Sequence, residues 1–530
     1  MKSNKMAPRG PGMRSAAVAV ALAAGGGLAQ AQPVEWDGTN YAVGLGAGQN
    51  VSTNWNVAVG EGAGTNVSGG NANQAIGYYA GNNVQGGWNQ SFGRSAGQDV
   101  TGNYNNAVGF WAGTGVTGSQ NTAIGSNAGR NVTGSNNEAL GNGAGQNVST
   151  NWNVAIGEGA GSNVGGKNAN QAIGYYAGIN VQGGWNQSFG RSAGQNVTGD
   201  YNNGVGFWAG TDTRGNQNTA MGSNAGRNVT GDSNQAIGQD AGRDVVGNNN
   251  QSAGQNAGQQ VRGSGNQASG MNSGQAVQGD NNLASGSYAG SDVAGSNNQA
   301  SGLGAGRGVN GSNNVAQGTG AGLGVQGSDN VSIGSGAGRG ITADRAVSIG
   351  SAAVAGASDS VAVGAGAQAS AANSVALGAG SQAARGARTG YQAYGMASPQ
   401  SSTGEVNVGG RQVTGVAAGS ADTDAVNVGQ LRAVTQDTER GLSSLRSEVH
   451  SMDRELRAGV AAAMATAGLP QAYLPGRNMV SLAGGTWNGE SGYALGISRV
   501  SSSGSWVVKA AANGSSRGDL GGAVGVGYQW

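Results

Sequence analysis

Through most of this chain single apolar positions recur on a sixteen-residue cycle. Each unit reads N-x-A-apolar-G-x-x-A-G followed by x-x-V-x-G, as in NQAIGYYAG from Asn73, NTAIGSNAG from Asn121 and NVSIGSGAG from Asn330. One apolar mark precedes the first glycine (Ile76, Phe92, Val108, Ile124), and the other falls in the second half (Val84, Val100, Val116, Val132). The leading asparagine recurs from Asn40 to Asn330 in steps of 16, twice stretched to 17, and closing units ending at Gly350, Gly364 and Gly378 shorten the step to 14. Such a unit is too short for a helix pair or a propeller blade. It suits one coil of a parallel β-solenoid with two short strands. The two marks then predict two apolar rows filling a narrow interior. Glycines would serve corners of positive φ, and stacked asparagines would satisfy the turn backbone. At roughly 4.8 Å per coil the array makes a rod of roughly 105 Å. Between about residues 250 and 320 the first mark weakens to Ala253, Ser269, Ser285, Ser301 and Gln317. The core is expected to thin there and to need lateral association. A larger duplication overlies the small one: NWNVAVGEGAG at Asn54 returns as NWNVAIGEGAG at Asn151, a shift of 97 residues.

After Pro399 the pattern changes twice. Val428, Leu431, Thr435, Thr438, Leu442, Leu445, Val449, Met452, Leu456, Gly459 and Ala463 alternate steps of 3 and 4, the seam of a coiled coil. Beyond Gly468 and Pro470, four alternating stretches read as strands: Met479–Trp487, Gly492–Val500, Ser505–Asn513 and Gly522–Trp530. Asn488-Gly489 and Asn513-Gly514 read as turns between them. Strands of about 9 to 11 residues match a membrane barrel, and four strands cannot close one, so several chains must share it.

Composition narrows the function. The 530 residues include 108 glycines, one histidine (His450) and no cysteine, with a formal net charge of +1. A catalytic triad, a multi-histidine metal site, thiolate chemistry and a basic nucleic-acid face are all disfavoured. No cofactor is expected. At the N-terminus Lys2, Lys5, Arg9 and Arg14 precede a short apolar run and Ala29-Gln30-Ala31, which predicts a signal peptide cleaved after Ala31.

Three segments carry a family resemblance: the NSVALG head repeat (Asn373, Ser374, Val375, Ala376, Leu377, Gly378), the stretch VTGVAAGSADTDAVNVGQL, and the terminal GRNMVSLAGGTWNGESGYALGISR. The chain resembles the trimeric autotransporter adhesins of the YadA-like family. The resemblance implies a mainly β protein with a left-handed parallel β-roll head, a short trimeric coiled-coil stalk and a 12-stranded outer-membrane barrel built from three chains. It implies segments 1–31 (signal), 32–398 (head), 399–430 (neck), 431–467 (stalk) and 468–530 (anchor). Leu431, Leu442, Leu445, Val449, Met452 and Leu456 would form the trimer core of the stalk. Trp530 would direct the chain to the outer-membrane assembly machinery, and NSVALG corresponds to a family adhesion motif. Expected partners are two further copies of the chain, outer-membrane lipid, and host extracellular matrix or host cell surface, with the head on the cell surface. Recurrent aromatics supply candidate contacts: Trp55, Trp88, Tyr104, Trp152, Trp185 and Tyr201 before the asparagine, and Tyr78, Tyr79, Phe110, Trp111, Tyr175, Tyr176, Phe207 and Trp208 after the glycine. A self-associating coat or biofilm protein without a host ligand is the competing reading.

Overall fold

The computed structural model describes residues 35–36 and 39–530. The cleavage site expected at Ala31 lies outside the described residues. The chain divides into two compact units, one ending at Arg411 and the other running from Gln412 to Trp530.

The first unit is a parallel β-solenoid. Three-residue strands such as Gln74–Ile76, Gln90–Phe92 and Asn106–Val108 pair one repeat apart, with Gln90 opposite Asn106. They join a sheet of 24 strands. A second parallel row follows each coil, as short strands (Ser68–Gly69 on Gln85–Gly86) or single bridges (Thr101 on Thr117). The two strands per coil match the sequence expectation.

What fills the interior does not. Strand side chains alternate between faces, and each strand here is only three residues long. Its central residue alone points inward, so Ala75, Ala107 and Ala123 are buried. The first apolar mark falls on the outer face: Ile76 is 43 % exposed, Val108 and Ile124 are similarly exposed, and Phe92 is half-buried. Alanines and the second mark, with Val84, Val100, Val116 and Val132 at 1–2 % exposure, make the core. The expected thinning between 250 and 320 is corrected for the same reason. Val261, Val277, Val293, Val309 and Val325 continue the buried row, while the third strand residues, such as Ser269 and Gln317, change only the outer face.

Asparagine holds the corners in register. Asn186 Nδ2 donates to Asn170 Oδ1 (3.0 Å) and to the Gly199 carbonyl (2.9 Å). Its Oδ1 accepts from the Asn202 N–H (2.9 Å) and Asn202 Nδ2 (3.1 Å). The same bonds start at Asn40 and end where Ala346 N donates to Asn330 Oδ1. A parallel exposed ladder runs through Asn163, Asn180, Asn196 and Asp212. The glycine after each strand is steric: a Cβ at Gly93, φ +132°, would sit 2.5 Å from the Gly109 carbonyl oxygen.

Both ends of the sheet are covered, which removes open edges. Glu35–Trp36 pairs antiparallel with Tyr41–Val43, and Val406–Asn407 pairs with Val375–Ala376. The second cover is clamped by Glu405, whose carboxylate accepts the Ala384 N–H (2.6 Å), the Arg385 N–H (2.8 Å) and Arg385 Nε (2.6 Å). The Arg385 backbone and guanidinium, then the Ala384 N–H, hold the Glu405 carboxyl below its ordinary range.

In the second unit a helix spans Val428–Ala467. Asn427 opens it through a capping box: its Oδ1 accepts the Gln430 N–H (3.0 Å), and Gln430 Oε1 accepts the Asn427 N–H (3.3 Å). Just upstream, the Asp424 carboxylate holds a turn by accepting the Ser420 and Ala421 N–H groups. A meander of four antiparallel strands follows: Asn478–Trp487, Glu490–Val500, Trp506–Ser515 and Leu520–Tyr528. The end of the helix lies on one face, burying Ala458, Ala461, Ala462 and Ala465. A Cβ at Gly492 would fall 2.2 Å from Ala462 N, so glycine permits this approach.

Asn488-Gly489 turns as expected, both at positive φ. Asn513-Gly514 does not. The third strand runs through it to Ser515, and Gly518 turns instead. Two packing demands explain this pair: Asn513 Nδ2 donates to Thr466 Oγ1 of the helix (2.6 Å), and a Cβ at Gly514 would lie 2.6 Å from the Tyr493 ring.

Replacing Asn186 by Ala removes an amide that makes four hydrogen bonds in the buried ladder and strands its neighbours. A loss of about 1–3 kcal/mol is expected, read as faster hydrogen exchange across adjacent coils. Asn180→Gly in the exposed ladder, which keeps a residue tolerant of the positive φ there, should cost at most about 0.5 kcal/mol. For Glu405 the lowered pKa means its contribution is present above the unfolded value and is lost as pH falls through the folded one. Protection of the Ala384 and Arg385 amides should therefore persist through pH 4.5, the ordinary carboxyl value, and fail only below it. Glu405→Gln should lower it at neutral pH.

Candidate functional site

All fourteen candidate aromatics are exposed on the solenoid. They fall into two columns, one at each corner flanking the three-residue strands. The first holds Trp55, Trp88, Tyr104, Trp152, Trp185 and Tyr201, each at a φ between 56° and 65°. The second pairs Tyr78 with Tyr79, Phe110 with Trp111, Tyr175 with Tyr176 and Phe207 with Trp208. The latter member of each pair is also left-handed.

That backbone argues for a role beyond packing. A left-handed L-residue costs roughly 1–2 kcal/mol, and Asn or Asp tolerates it best. Further along, the same corner is most often asparagine or aspartate (Asn249, Asn281, Asn297, Asn313 and Asp329), with Gln217, Ser233, Gly265 and Arg345 among them. Six of the coils up to about residue 210 instead place a large exposed ring there, Trp55 at 69 %.

The rings are ordered along the columns. Trp88 stacks on Tyr104 (centroids 6.1 Å, planes 14° apart), and Trp185 on Tyr201 (5.2 Å, 10°). In the second column Arg94 lies between Tyr78 and Phe110, at 5.6 and 5.5 Å from the ring centres. Arg191 repeats this between Tyr175 and Phe207, both at 5.5 Å. Arg130 and Arg227 cover Trp111 and Trp208. The duplication thus presents one aromatic–arginine face twice. These arginines were not singled out from sequence, although their fixed place in the duplicated block was a usable signal.

The copies differ at one point. Trp55, Asn71, Ala72, Trp88, Asn103 and Tyr104 line an open groove of about 720 Å³. In the second copy Lys167 and Asp200 form an ion pair across the equivalent place. The Lys167 ammonium and the Gly184 N–H hold the Asp200 carboxyl below its usual range.

The NSVALG segment forms the last three-residue strand of the solenoid before its cover. Ser374 and Ala376 point inward, Leu377 outward, and Val375 is half-buried. Ser374 Oγ donates to the Arg385 carbonyl (2.8 Å). Asn373 is left-handed, and the Arg411 guanidinium lies where a Cβ on Gly378 would fall. Arg411 also donates to the Ala379 carbonyl (2.6 Å).

In the second unit the six seam residues Leu431, Leu442, Leu445, Val449, Met452 and Leu456 are all exposed in the single chain. So is an apolar sheet face including Val480, Leu482, Leu495, Ile497, Val524 and Val526. Trp506, Tyr528 and Trp530 cluster at one end of it, with Trp506–Tyr528 centroids 5.0 Å apart. No described helix is long and apolar enough to cross a membrane. No cluster of three or more His, Cys, Asp or Glu able to hold a metal occurs among the described residues.

Comparison with known proteins places this unit. Residues 470–530 match the YadA-like membrane anchor domain, and residues 412–454 match the coiled stalk of trimeric autotransporter adhesins. Over 131 residues the chain is 44 % identical to the autotransporter adhesin NhhA of Neisseria meningitidis serogroup B, covering 24 % of this chain and 21 % of that one. Over 128 residues it is 41 % identical to the autotransporter adhesin EhaG of Escherichia coli O157:H7, covering 23 % of this chain and 8 % of the relative. The matches thus span about a fifth of the first relative and under a tenth of the second. The two family matches, the exposed heptad helix and the four-stranded apolar sheet lead to one assignment: residues 412–530 form a stalk and membrane anchor of the YadA-like trimeric autotransporter adhesin type.

Proposed function

We propose that this protein is a surface-displayed homotrimeric adhesin whose solenoid attaches the cell to host extracellular matrix or host cells through many repeated contacts. The anchor fixes it in the outer membrane, with solenoid and helix on the surface side. The observation that carries the adhesive reading is the pair of exposed aromatic columns set at left-handed corners. Large exposed rings are strong contact anchors, and three copies of a repeated face convert weak contacts into avidity.

Trimerisation follows from what one chain leaves open. The strands Asn478–Trp487 and Leu520–Tyr528 are the two edges of the sheet and do not pair with each other. Open edges are not tolerated in hydrocarbon, so further copies supply the missing pairing. Three copies give twelve strands. The exposed seam then packs in the stalk, and the outward Ile, Val and Leu stripe of the solenoid packs between heads. This anchor supports export of the remainder, with Trp530 read by the outer-membrane assembly machinery. The segments 32–398, 399–430, 431–467 and 468–530 serve as head, neck, stalk and anchor. Asn373 to Gly378 closes the head and is a second candidate for matrix contact. The stacked exposed rings also suit a second reading, self-association in a biofilm without a host ligand.

A non-adherent laboratory bacterium displaying the full chain should bind one or more of collagen, fibronectin, laminin and epithelial cells. The same chain lacking its solenoid should not. Binding only to bare plastic, or clumping alone, would favour self-association. Leu442→Asp with Leu445→Asp should leave the anchor assembled but expose Arg440 and Arg446 to trypsin on intact cells, since a lone helix is marginal in water. Equal resistance in wild type and variant would contradict the packed seam.

A further inference from the structure

We propose that the groove between Trp55 and Trp88 is a binding site for a neutral hexopyranose of a glycan on the surface to which the protein attaches. The inference deepens the adhesive reading and rests on it.

Trp55 and Trp88 stand two coils apart in one column, and the coil between them carries Ala72, itself left-handed at φ 62°. At about 4.8 Å per coil the two indoles are separated by roughly 10 Å. In the neighbouring column an interval of the same two coils is filled by the chain's own Arg94 between Tyr78 and Phe110. In the Trp55–Trp88 interval no ring or guanidinium fills the space, and the groove stays open. A two-coil interval therefore admits one layer between its rings, and a saturated six-membered ring, thickened by its axial hydrogens, fits it with a C–H face toward each indole.

The polar rim selects the same chemistry. Asn71 Oδ1 accepts the Asn54 N–H (2.9 Å), and Asn103 Oδ1 accepts the Gly87 N–H (2.8 Å). Both amide oxygens are thereby fixed by backbone, and both Nδ2 groups donate to no acceptor among the described residues. Two oriented N–H₂ donors call for an acceptor-rich ligand. Apart from the Tyr104 phenol, no ionisable side chain lines the groove. It offers a cation no carboxylate and an anion no ammonium or guanidinium. Hydroxyl oxygens on a neutral sugar match, whereas a guanidinium or a sialic acid does not.

The second copy provides an internal contrast. Gly70 and Asn103 become Lys167 and Asp200, whose ion pair spans the equivalent groove at Trp152, Ala169 and Trp185. The first site is therefore open and neutral, and the second is closed by charge.

The test overlays bacteria displaying the full-length chain on arrayed neutral oligosaccharides, sialylated and sulfated glycans, and purified lipopolysaccharide, with display measured by antibody. Retention on a neutral hexopyranose glycan is expected. Trp55→Ala with Trp88→Ala should weaken it about ten-fold, the scale of two lost stacking contacts. Because these residues pack on no core, equal display is expected. Lys167→Gly with Asp200→Asn should open the second groove and raise glycan bound per chain about two-fold. Unchanged retention in the tryptophan variant, no gain in the opened variant, or preference for acidic glycans or lipopolysaccharide overturns the proposal. If solenoid-dependent adherence to matrix or cells persists without neutral-glycan binding, this inference fails while the adhesive reading stands. Loss of both would remove the adhesive reading itself.

Discussion

The buried asparagine ladder is the constraint on which the solenoid depends. Each coil is only a few side chains wide, with alanine against valine inside, and it buries little by itself. Its corners contain backbone N–H and carbonyl groups turned from water, which must be paired. Asn186 and its equivalents pair them with the coils on either side. A one-residue slip would strand those groups and turn the central alanines outward. The period of sixteen is therefore held by hydrogen bonding as much as by hydrophobic burial. The two longer coils keep the ladder because their extra residue lies outside it, near Asn73 and Asn170.

A scaffold fixed in this way leaves its outer face free. Corner positions need a residue that accepts positive φ, and asparagine or aspartate most often supplies it. The aromatic corners up to about residue 210 accept strain to place rings in solvent, in vertical register because the ladder keeps the coils in register. The anchor shows the complementary case. Its four strands turn Val480, Leu495 and Val524 outward while small residues face the helix. It is built to be completed by other copies.

Much of this was legible in the sequence, for identifiable reasons. The repeat length specified a solenoid because nothing else closes in sixteen residues, and the seam from Leu431 to Leu456 fixed the helix. Three readings needed coordinates. Ile76 looks like a core residue until the strand proves to be three residues long, which leaves only Ala75 inside. Asn513-Gly514 has the composition of a hairpin turn, but its neighbours in space, Thr466 and Tyr493, account for it. The groove at Ala72 was invisible because its meaning lies in what stands one coil above and below. By contrast, the arginines between rings could have been found from the 97-residue duplication, which repeats Arg94 as Arg191.

The account turns on a chain that is incomplete alone, with two unpaired sheet edges and an exposed heptad seam. Its most direct test is the mass of the full-length protein extracted from the outer membrane in mild detergent, measured by native mass spectrometry. Three chains per particle, dissociating only with loss of the sheet, is the predicted result. A stable single-chain particle with the four-stranded sheet intact would contradict it.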